Sequence, residues 1–183
     1  MGTDKRLVLV DGQPMLRRAI DGLPDVDQIL VVIDPARPVP RDLLPDRIVR
    51  VIPDLRPGAG PLAGLEAGLA GTGAALVLVV PVDMPWLGPD LLRLLVTRLG
   101  ESPRSDVACL VADGRRQPLP MACRRGPALA RVTRLLDGGE HRLRALVDDP
   151  ATAVVAEADW RAVDGPGRSI EDVDTPADLA RHG

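Results

Sequence analysis

The chain has 183 residues, of which 45% are hydrophobic, so it is long and apolar enough to fold around a sizeable core. Its formal net charge is -3, which argues against general nucleic-acid binding. No apolar run approaches the roughly 20 residues of a membrane span. We therefore expect neither nucleic acid nor a membrane among its partners.

The two cysteines, Cys109 and Cys123, lie in apolar or strand-like surroundings and lack the spacing of zinc ligands. We expect buried free thiols, which suit a reducing compartment. The first residues are not followed by the apolar core of a signal peptide. Together these features favour a cytoplasmic protein.

Strands alternate with helices through the first half of the chain, and this order predicts an α/β fold with a mainly parallel sheet. The predicted strands are 6–10, 29–33, 48–52, the apolar run between Gly73 and Asp83, 107–111, 118–123, 153–156 and 169–173. Helices are predicted from Pro14 to Gly22, in the second half of 57–69, and over 89–99 and 128–136, with a helical turn at 143–147 and a closing helix from Thr175. An Asp113-Gly114 turn predicts that the strands on either side of it form a hairpin. Because no repeat or linker interrupts the chain, we expect one domain over residues 1–183.

Three carboxylates follow three successive predicted strands: Asp34, Asp54 and Asp83. In a parallel sheet the carboxyl ends of the strands share one edge, which is where ligands bind in open α/β folds. Asp83 is the strongest candidate, because the next helix starts too far along the chain for Asp83 to cap it. Mg²⁺ prefers one or two carboxylates together with water and substrate phosphates. For Asp34, which precedes a proline, a turn-forming role is an alternative.

A glycine loop, Pro57 to Gly60, precedes an amphipathic helix. It lacks the Gly-Lys-[Ser/Thr] sequence of a phosphate-binding P-loop. Gly58, Gly60 and Gly64 form only a loosened dinucleotide fingerprint, since Asp54-Leu55-Arg56-Pro57 intervene between the preceding strand and Gly58. Two interpretations remain open, close backbone approach to a ligand or close packing of the helix on the sheet.

Lys5 is the only lysine among 23 lysine and arginine residues. A chain that uses arginine almost everywhere else retains one compact, flexible ammonium group here. Such a group is suited to a phosphate site. Chance survival of one lysine is the alternative.

Six motifs in order resemble the molybdenum cofactor guanylyltransferases, within the wider group of MobA-like nucleotidyltransferases. The motifs are Met1-Gly2-Thr3-Asp4-Lys5, Asp11-Gly12-Gln13-Pro14-Met15-Leu16, Gly60-Pro61-Leu62-Ala63-Gly64, Asp83-Met84-Pro85, Gln117-Pro118-Leu119 and the stretch from Asp172 to Leu179. The resemblance covers essentially the whole chain and implies a three-layer αβα, Rossmann-like nucleotidyltransferase fold with a mainly parallel mixed sheet. It also implies transfer of GMP from GTP to the molybdenum–molybdopterin cofactor, with Mg²⁺ and release of pyrophosphate.

The resemblance implies roles for individual residues as well. Lys5 and Asp83 correspond to catalytic residues, with Lys5 on the nucleotide phosphates and Asp83 on Mg²⁺. Further nucleotide contacts are implied for Asp34, Asp54 and Gly60. Arg142 corresponds to the basic loop that faces the cofactor substrate. Asp172 and Asp174 lie where the family usually has Asn. This departure is expected either to alter contacts with the cofactor substrate, at Asp174, or to add a second metal carboxylate, at Asp172. A monomer is expected, with transient contacts to proteins that deliver the cofactor or receive it.

One departure concerns the start of the chain. The family opens with an apolar strand and a Gly-Gly-x-Ser-x-Arg-Met loop, and this sequence begins at the Met of that loop. We therefore expect the sheet to lack its first strand and to have an open position. We also expect the natural polypeptide to start upstream of Met1. The alternative is a truncated relative.

The sequence leaves rival functions open. A cytidylyltransferase for the same cofactor, or a phospholactate guanylyltransferase, would keep the chemistry and change the substrates. A non-catalytic protein that binds a nucleotide or a protein partner would lack pyrophosphate release. An oxidoreductase would use Gly58 to Gly64 to bind NAD(P).

Overall fold

The computed structural model describes residues 4–45, 49–164, 167–173 and 178. The strands are β1 Leu9–Val10, β2 Gln13–Pro14, β3 Ile29–Ile33, β4 Val49–Pro53, β5 Leu76–Val79, β6 Val107–Ala112, β7 Arg115–Arg124 and β8 Ala153–Val155. The helices are α1 Met15–Asp21, α2 Pro61–Ala70, α3 Pro89–Gly100, α4 Arg125–Asp137, α5 Arg144–Val147 and α6 Glu157–Val163. Two short 3₁₀ helices, Lys5–Leu7 and Arg41–Leu43, complete the described elements.

A four-stranded sheet in the order β5–β7–β6–β8 forms the middle layer of the molecule. Strand β7 pairs antiparallel with β5 and β6, whereas β6 and β8 run parallel, so the sheet is mixed as predicted. Alternate residues of β6 enter opposite cores, because successive side chains of a strand point to opposite faces. Cys109 packs with α2, α4 and α5, while Leu110 packs with α3 and α6. The result is the three-layer αβα arrangement predicted above.

Strands β3 and β4 form a separate parallel pair, whose register runs from Ile29 opposite Val49 to Ile33 opposite Pro53. Helix α1 and the turn at Leu43 cover this pair. Among the described residues, β3 is not hydrogen-bonded to β5. An apolar cleft of about 850 Å³, lined by residues of both strands, lies between them. The open position predicted for the sheet corresponds to this cleft.

The predicted hairpin between β6 and β7 is confirmed, and its turn has the required backbone. Asp113 and Gly114 both have positive φ angles, 50° and 68°. Asp11 and Gly12 make the same kind of turn between β1 and β2. Both turns therefore occur at Asp-Gly pairs, the residues that most readily adopt the positive φ angles such turns require.

Two predicted strands are wrong. Residues 6–10 were expected to be one strand, but residues 5–7 form a 3₁₀ helix because the Asp4 side chain accepts the Arg6 backbone N–H. Only Leu9–Val10 is extended into a strand. Residues 169–173 form no strand, because the buried Asp164 carboxylate binds both the N–H and the hydroxyl of Ser169 and holds this segment in a turn. In both cases a local side-chain bond to the backbone prevails over an apolar pattern.

The cysteines are buried and free, as predicted. Burial raises the pKa of Cys109 to about 11 and that of Cys123 to about 12, so both remain protonated thiols at neutral pH. In the part of the chain that the structure describes, no helix is long and apolar enough to cross a membrane.

Two consecutive arginines, the last residue of β7 and the first residue of α4, bind carbonyl groups at the carboxyl ends of two other helices. Arg124 donates to the carbonyls of Leu99 in α3 and Ser105, and Arg125 donates to the carbonyl of Leu69 in α2. Cations are favourable at helix carboxyl ends, where carbonyl groups lack partners within the helix.

We expect Arg124→Ala to lower the free energy of unfolding by about 1–2 kcal/mol, because two charge-assisted hydrogen bonds are lost from a half-buried position. Urea denaturation measures the effect. Arg93→Ala is the matched control, since Arg93 is exposed and forms an ion pair with the equally exposed Asp90. Equal losses in the two variants would contradict the capping role.

Candidate functional site

The sole lysine lies against the carboxylate that follows β5. The Lys5 Nζ atom is 3.1 Å from Oδ2 of Asp83, although 78 positions separate the two residues. Both side chains are partly open to solvent, 39% exposed for Lys5 and 27% for Asp83. The contact therefore joins the two strongest sequence candidates at an accessible position.

The 3₁₀ helix that carries Lys5 is fixed by its neighbours. Asp4 caps it and also binds the Arg6 guanidinium through both carboxylate oxygens, at 2.6 to 3.1 Å. This hydrogen bond to Arg6 lowers the pKa of Asp4 below its ordinary value. Arg6 also donates to the Arg37 carbonyl, at 2.7 Å. Arg6 thereby ties the Lys5 turn to the exposed turn opened by Asp34, whose Oδ1 accepts the N–H of Ala36.

The segment near the end of the described chain reaches the same place. The Val173 N–H donates to the main-chain carbonyl of Asp83, at 2.8 Å, and the Ser169 hydroxyl oxygen, which donates to Asp164 at 2.8 Å, lies 3.3 Å from the carbonyl oxygen of Trp86. Asp172 is exposed and precedes Val173, so its backbone lies beside Asp83. No group of three or more His, Cys, Asp or Glu side chains suited to a metal occurs among the described residues. A cation here would depend on one or two carboxylates and on the ligands that a substrate brings.

The second group lies on the glycine loop, which in the structure includes the residues that lead into it and runs from Asp54 to Gly60. The Asp54 N–H continues the ladder to the Ile33 carbonyl, and the Asp54 Oδ1 accepts the N–H of Arg56. Gly60 has φ of 80° and caps α2. A side chain at Gly60 would come within 3.2 Å of the His141 carbonyl, so the close approach of these two loops requires glycine.

The loop after α4 carries Arg142 and contacts the start of α2. The His141 carbonyl accepts the N–H of Leu62, at 3.4 Å. The Arg142 side chain is 81% exposed and pairs with Glu140, at 2.9 Å. Glu140 also accepts the backbone N–H groups of His141 and Arg142. The Arg142 guanidinium and these N–H groups lower the pKa of Glu140 to about 2, so the ion pair persists at neutral pH.

Residues 1–160 match the family described as the MobA-like NTP transferase domain. The chain belongs to this family. A probable molybdenum cofactor guanylyltransferase of Deinococcus radiodurans is 36% identical over 182 residues, which cover 98% of this chain and 85% of that protein.

Solved structures support the same fold. The molybdopterin-guanine dinucleotide biosynthesis protein A of Archaeoglobus fulgidus superposes with a TM-score of 0.80 at 22% identity, over 98% of this chain and 89% of that one. Rv0371c of Mycobacterium tuberculosis, solved in complex with manganese, has a TM-score of 0.66 at 19% identity, over 97% and 89% of the two chains.

The residues predicted from sequence therefore fall into two groups. Lys5 and Asp83 touch each other, with Asp34 linked to them through Arg6 and Asp172 beside them through Val173. In the second group Asp54 and Gly60 share the glycine loop, and Arg142 follows the residue that contacts Gly60. Asp174 and the start of the predicted closing helix lie outside the described residues. Gly64 and Gly68 of α2 face the Val32 side chain of β3, so these two glycines allow helix α2 to pack closely against strand β3.

Sequence reasoning missed residues that hold these groups in place. Asp4 and Arg6 fix the Lys5 turn, and Arg56 binds Glu66 of α2. A signal existed for Glu66, because it is the single charged residue of an otherwise apolar and glycine-rich helix, Pro61–Ala70. No comparable signal identified Arg56 among so many arginines.

Proposed function

We propose that this protein transfers GMP from GTP to the molybdenum–molybdopterin cofactor and releases pyrophosphate, with Mg²⁺ as its metal. The observation that carries the proposal is the contact between Lys5 and Asp83 at the carboxyl side of β5. An ammonium group and a carboxylate suited to binding Mg²⁺ are in contact there, in a fold of this family. The guanylyltransferase name of the 36% identical relative supports the substrates.

Nucleotidyl transfer is an in-line displacement at the α-phosphorus of GTP. A bond forms from an acceptor oxygen to that phosphorus, and the bond to the bridging oxygen of the leaving pyrophosphate breaks. The protein must hold the two reactants in line and offset the negative charge that builds on the leaving group. The ammonium of Lys5 is the group of this chain that does so, and its flexible stem lets it turn from Asp83 to a phosphate.

The residues around Asp83 fit a Mg²⁺ ion. Asp83 offers a partly exposed carboxylate, and Asp172 lies next to the residue bonded to the Asp83 carbonyl. Mg²⁺ accepts such a set, because it takes one or two carboxylates and completes its shell with water and phosphate oxygens. When bound, the ion would neutralise phosphate charge and orient the triphosphate.

The glycine loop supplies the contacts proposed for guanine. Asp54 Oδ1 accepts the Arg56 N–H with one lone pair, so its second lone pair and Oδ2 remain for the paired donors N1–H and N2–H of guanine. The exposed backbone at Gly60 allows the base to approach closely. Asp34 is tied to the Lys5 turn through Arg6, and it is proposed to contact the nucleotide from the side of that turn.

The acceptor is proposed to bind at Arg142 and Asp174. Arg142 projects its exposed guanidinium into solvent beside the glycine loop, which suits an anionic cofactor. The protein is proposed to work as a monomer that meets its delivering and receiving proteins transiently.

Pyrophosphate release tests the proposal directly. The chain is incubated with GTP, Mg²⁺ and molybdenum-bound molybdopterin, and each is omitted in turn. Release that requires all three is expected. Equal or faster release with CTP would favour the cytidylyltransferase alternative, and GTP binding without release would favour a non-catalytic relative.

A substitution at Asp54 tests the assignment of the base. We expect Asp54→Asn to narrow the preference for GTP over CTP by about tenfold or more, since leaving guanine donors without an acceptor costs about 1–3 kcal/mol. Asn keeps an oxygen for the Arg56 N–H, so the turn is preserved. The measurement is kcat/KM for each nucleotide in the same variant.

Asp54→Ala is the companion variant, because it removes both the base contact and the turn. Equal losses for GTP and CTP in Asp54→Asn would assign Asp54 to the ribose or to loop structure alone.

A further inference from the structure

The loop from Asp54 to Gly60 is held by few main-chain bonds of its own. Asp54 accepts the Arg56 N–H, and the Arg56 carbonyl accepts the Ala59 N–H at 3.0 Å. Gly58 and Gly60 both have positive φ, 83° and 80°. Glycines in this conformation give a loop several alternatives, so something else must select one.

The Arg56 side chain supplies an external anchor. Its Nε donates to Glu66 Oε2 at 2.8 Å and its terminal NH2 donates to Glu66 Oε1 at 3.1 Å, which is a two-bond fork onto α2. The same guanidinium donates to Asp137 Oδ1 at the end of α4, at 3.0 Å. One side chain of the glycine loop thus reaches both helices behind it.

Of the two ion pairs that Arg56 makes, the pair with Glu66 is the stronger. The Glu66 side chain is 9% exposed, whereas that of Asp137 is 61% exposed. Glu66 is also fixed by the Thr133 hydroxyl of α4, which donates to its Oε1 at 2.9 Å. An ion pair that includes a buried carboxylate with several hydrogen-bond partners is held in one geometry, while an exposed pair is screened by water. Arg56 therefore gains its fixed position from Glu66.

We propose that Arg56 is a positioning residue that presents the Asp54–Gly60 loop to the nucleotide through its fork with Glu66. This inference rests on the proposed function, since the nucleotide is the ligand of the loop. Arg56 itself makes no contact with the reacting atoms. It acts through Asp54, whose Oδ1 accepts the Arg56 backbone N–H, and through Gly60, four residues along the same loop.

A purely structural role for the fork is the alternative, and three variants separate the roles. Arg56→Met removes the fork and leaves the buried Glu66 carboxylate with the hydrogen bond from the Thr133 hydroxyl. The double variant Arg56→Met with Glu66→Gln removes the unpaired charge and restores part of the stability, but it leaves the loop without its anchor. Arg56→Lys keeps the charge but cannot form the fork.

We expect Arg56→Met to raise KM for GTP about tenfold, with kcat changed by less than about threefold, because misplacement of a binding loop weakens substrate positioning. The double variant is expected to regain melting temperature but to keep the raised KM. Arg56→Lys should give an intermediate KM.

Asp137→Asn and Arg124→Ala are the controls. Asp137→Asn weakens the exposed contact between Arg56 and Asp137, and Arg124→Ala removes two structural arginine hydrogen bonds elsewhere in the molecule. Both variants should keep KM for GTP near that of the wild type.

Return of KM to the wild-type value in the double variant, together with stability, would overturn the inference and leave a structural role only. An unchanged KM in Arg56→Met would overturn it as well. Direct calorimetric titration of the wild type with GTP distinguishes failure of the proposed function. If the wild type does not bind GTP, both proposals fall, whereas wild-type binding that is equal in Arg56→Met overturns only this one.

Discussion

Asp83→Asn is expected to lower kcat for pyrophosphate release by about a thousandfold, the size of effect seen when a main electrostatic contact to a transition state is lost. Asn has nearly the same shape but lacks the negative charge that a divalent cation requires. Turnover at saturating GTP and Mg²⁺ is the measurement. Mn²⁺ in place of Mg²⁺ should not rescue the variant.

Stability should change little in the same variant. The Asp83 carboxylate and the Lys5 ammonium are both partly exposed, and such pairs contribute about 0–1 kcal/mol. The bond from the Val173 N–H goes to the Asp83 main-chain carbonyl, which the substitution retains. A melting temperature within a few degrees of the wild type is therefore expected.

Asp172→Asn provides the comparison for the metal role. Asp172 is exposed and is proposed only as a second carboxylate ligand. Its loss should therefore lower the affinity for Mg²⁺ without abolishing turnover. Near-normal Mg²⁺-dependent turnover in Asp83→Asn would refute the assignment of Asp83.

Local patterns predicted the fold well where adjacent residues decide the structure. Helix α3 begins at Pro89, as predicted, and ends at Gly100, one residue beyond the prediction. Strand β3 has the predicted bounds, Ile29–Ile33. The Asp113-Gly114 turn determines the hairpin because few other residues adopt positive φ at both positions.

The patterns failed where one side chain bonds to the backbone nearby. Asp4 caps a 3₁₀ helix inside the predicted first strand, and Asp164 holds Ser169 in a turn inside the predicted last strand. An apolar pattern reports average burial along a segment. It does not report a specific bond of this kind, so these two errors have a common physical cause.

The candidate site shows the same limit at longer range. Lys5 was singled out for its uniqueness and Asp83 for its position after a strand, but no local pattern states that they touch. The Arg56–Glu66 fork was not predicted, because it depends on the angle between the glycine loop and α2. Residue type identified the reactive groups, whereas the tertiary fold determines how they are positioned.

Lys5→Met is expected to change turnover and metal binding in opposite directions. Without the ammonium group, the charge on the leaving pyrophosphate is less well offset, and kcat/KM for GTP should fall about a hundredfold. Without nucleotide, the same change removes a positive charge 3.1 Å from Oδ2 of Asp83. A divalent ion approaching that oxygen no longer meets a repulsion of about 1–2 kcal/mol, so Mn²⁺ should bind about five- to thirtyfold more tightly.

Lys5→Arg is the matched control for this pair of effects. It retains the positive charge beside Asp83, so Mn²⁺ affinity should stay near that of the wild type while turnover falls because of the different geometry. Electron paramagnetic resonance of free Mn²⁺ gives the affinity, and pyrophosphate release gives the turnover.

Raised salt should shrink the difference in Mn²⁺ affinity between wild type and Lys5→Met, because the repulsion acts between partly exposed charges. Unchanged Mn²⁺ affinity in Lys5→Met would mean that the ion and the ammonium do not share Asp83. Unchanged kcat/KM for GTP would remove Lys5 from the phosphate site.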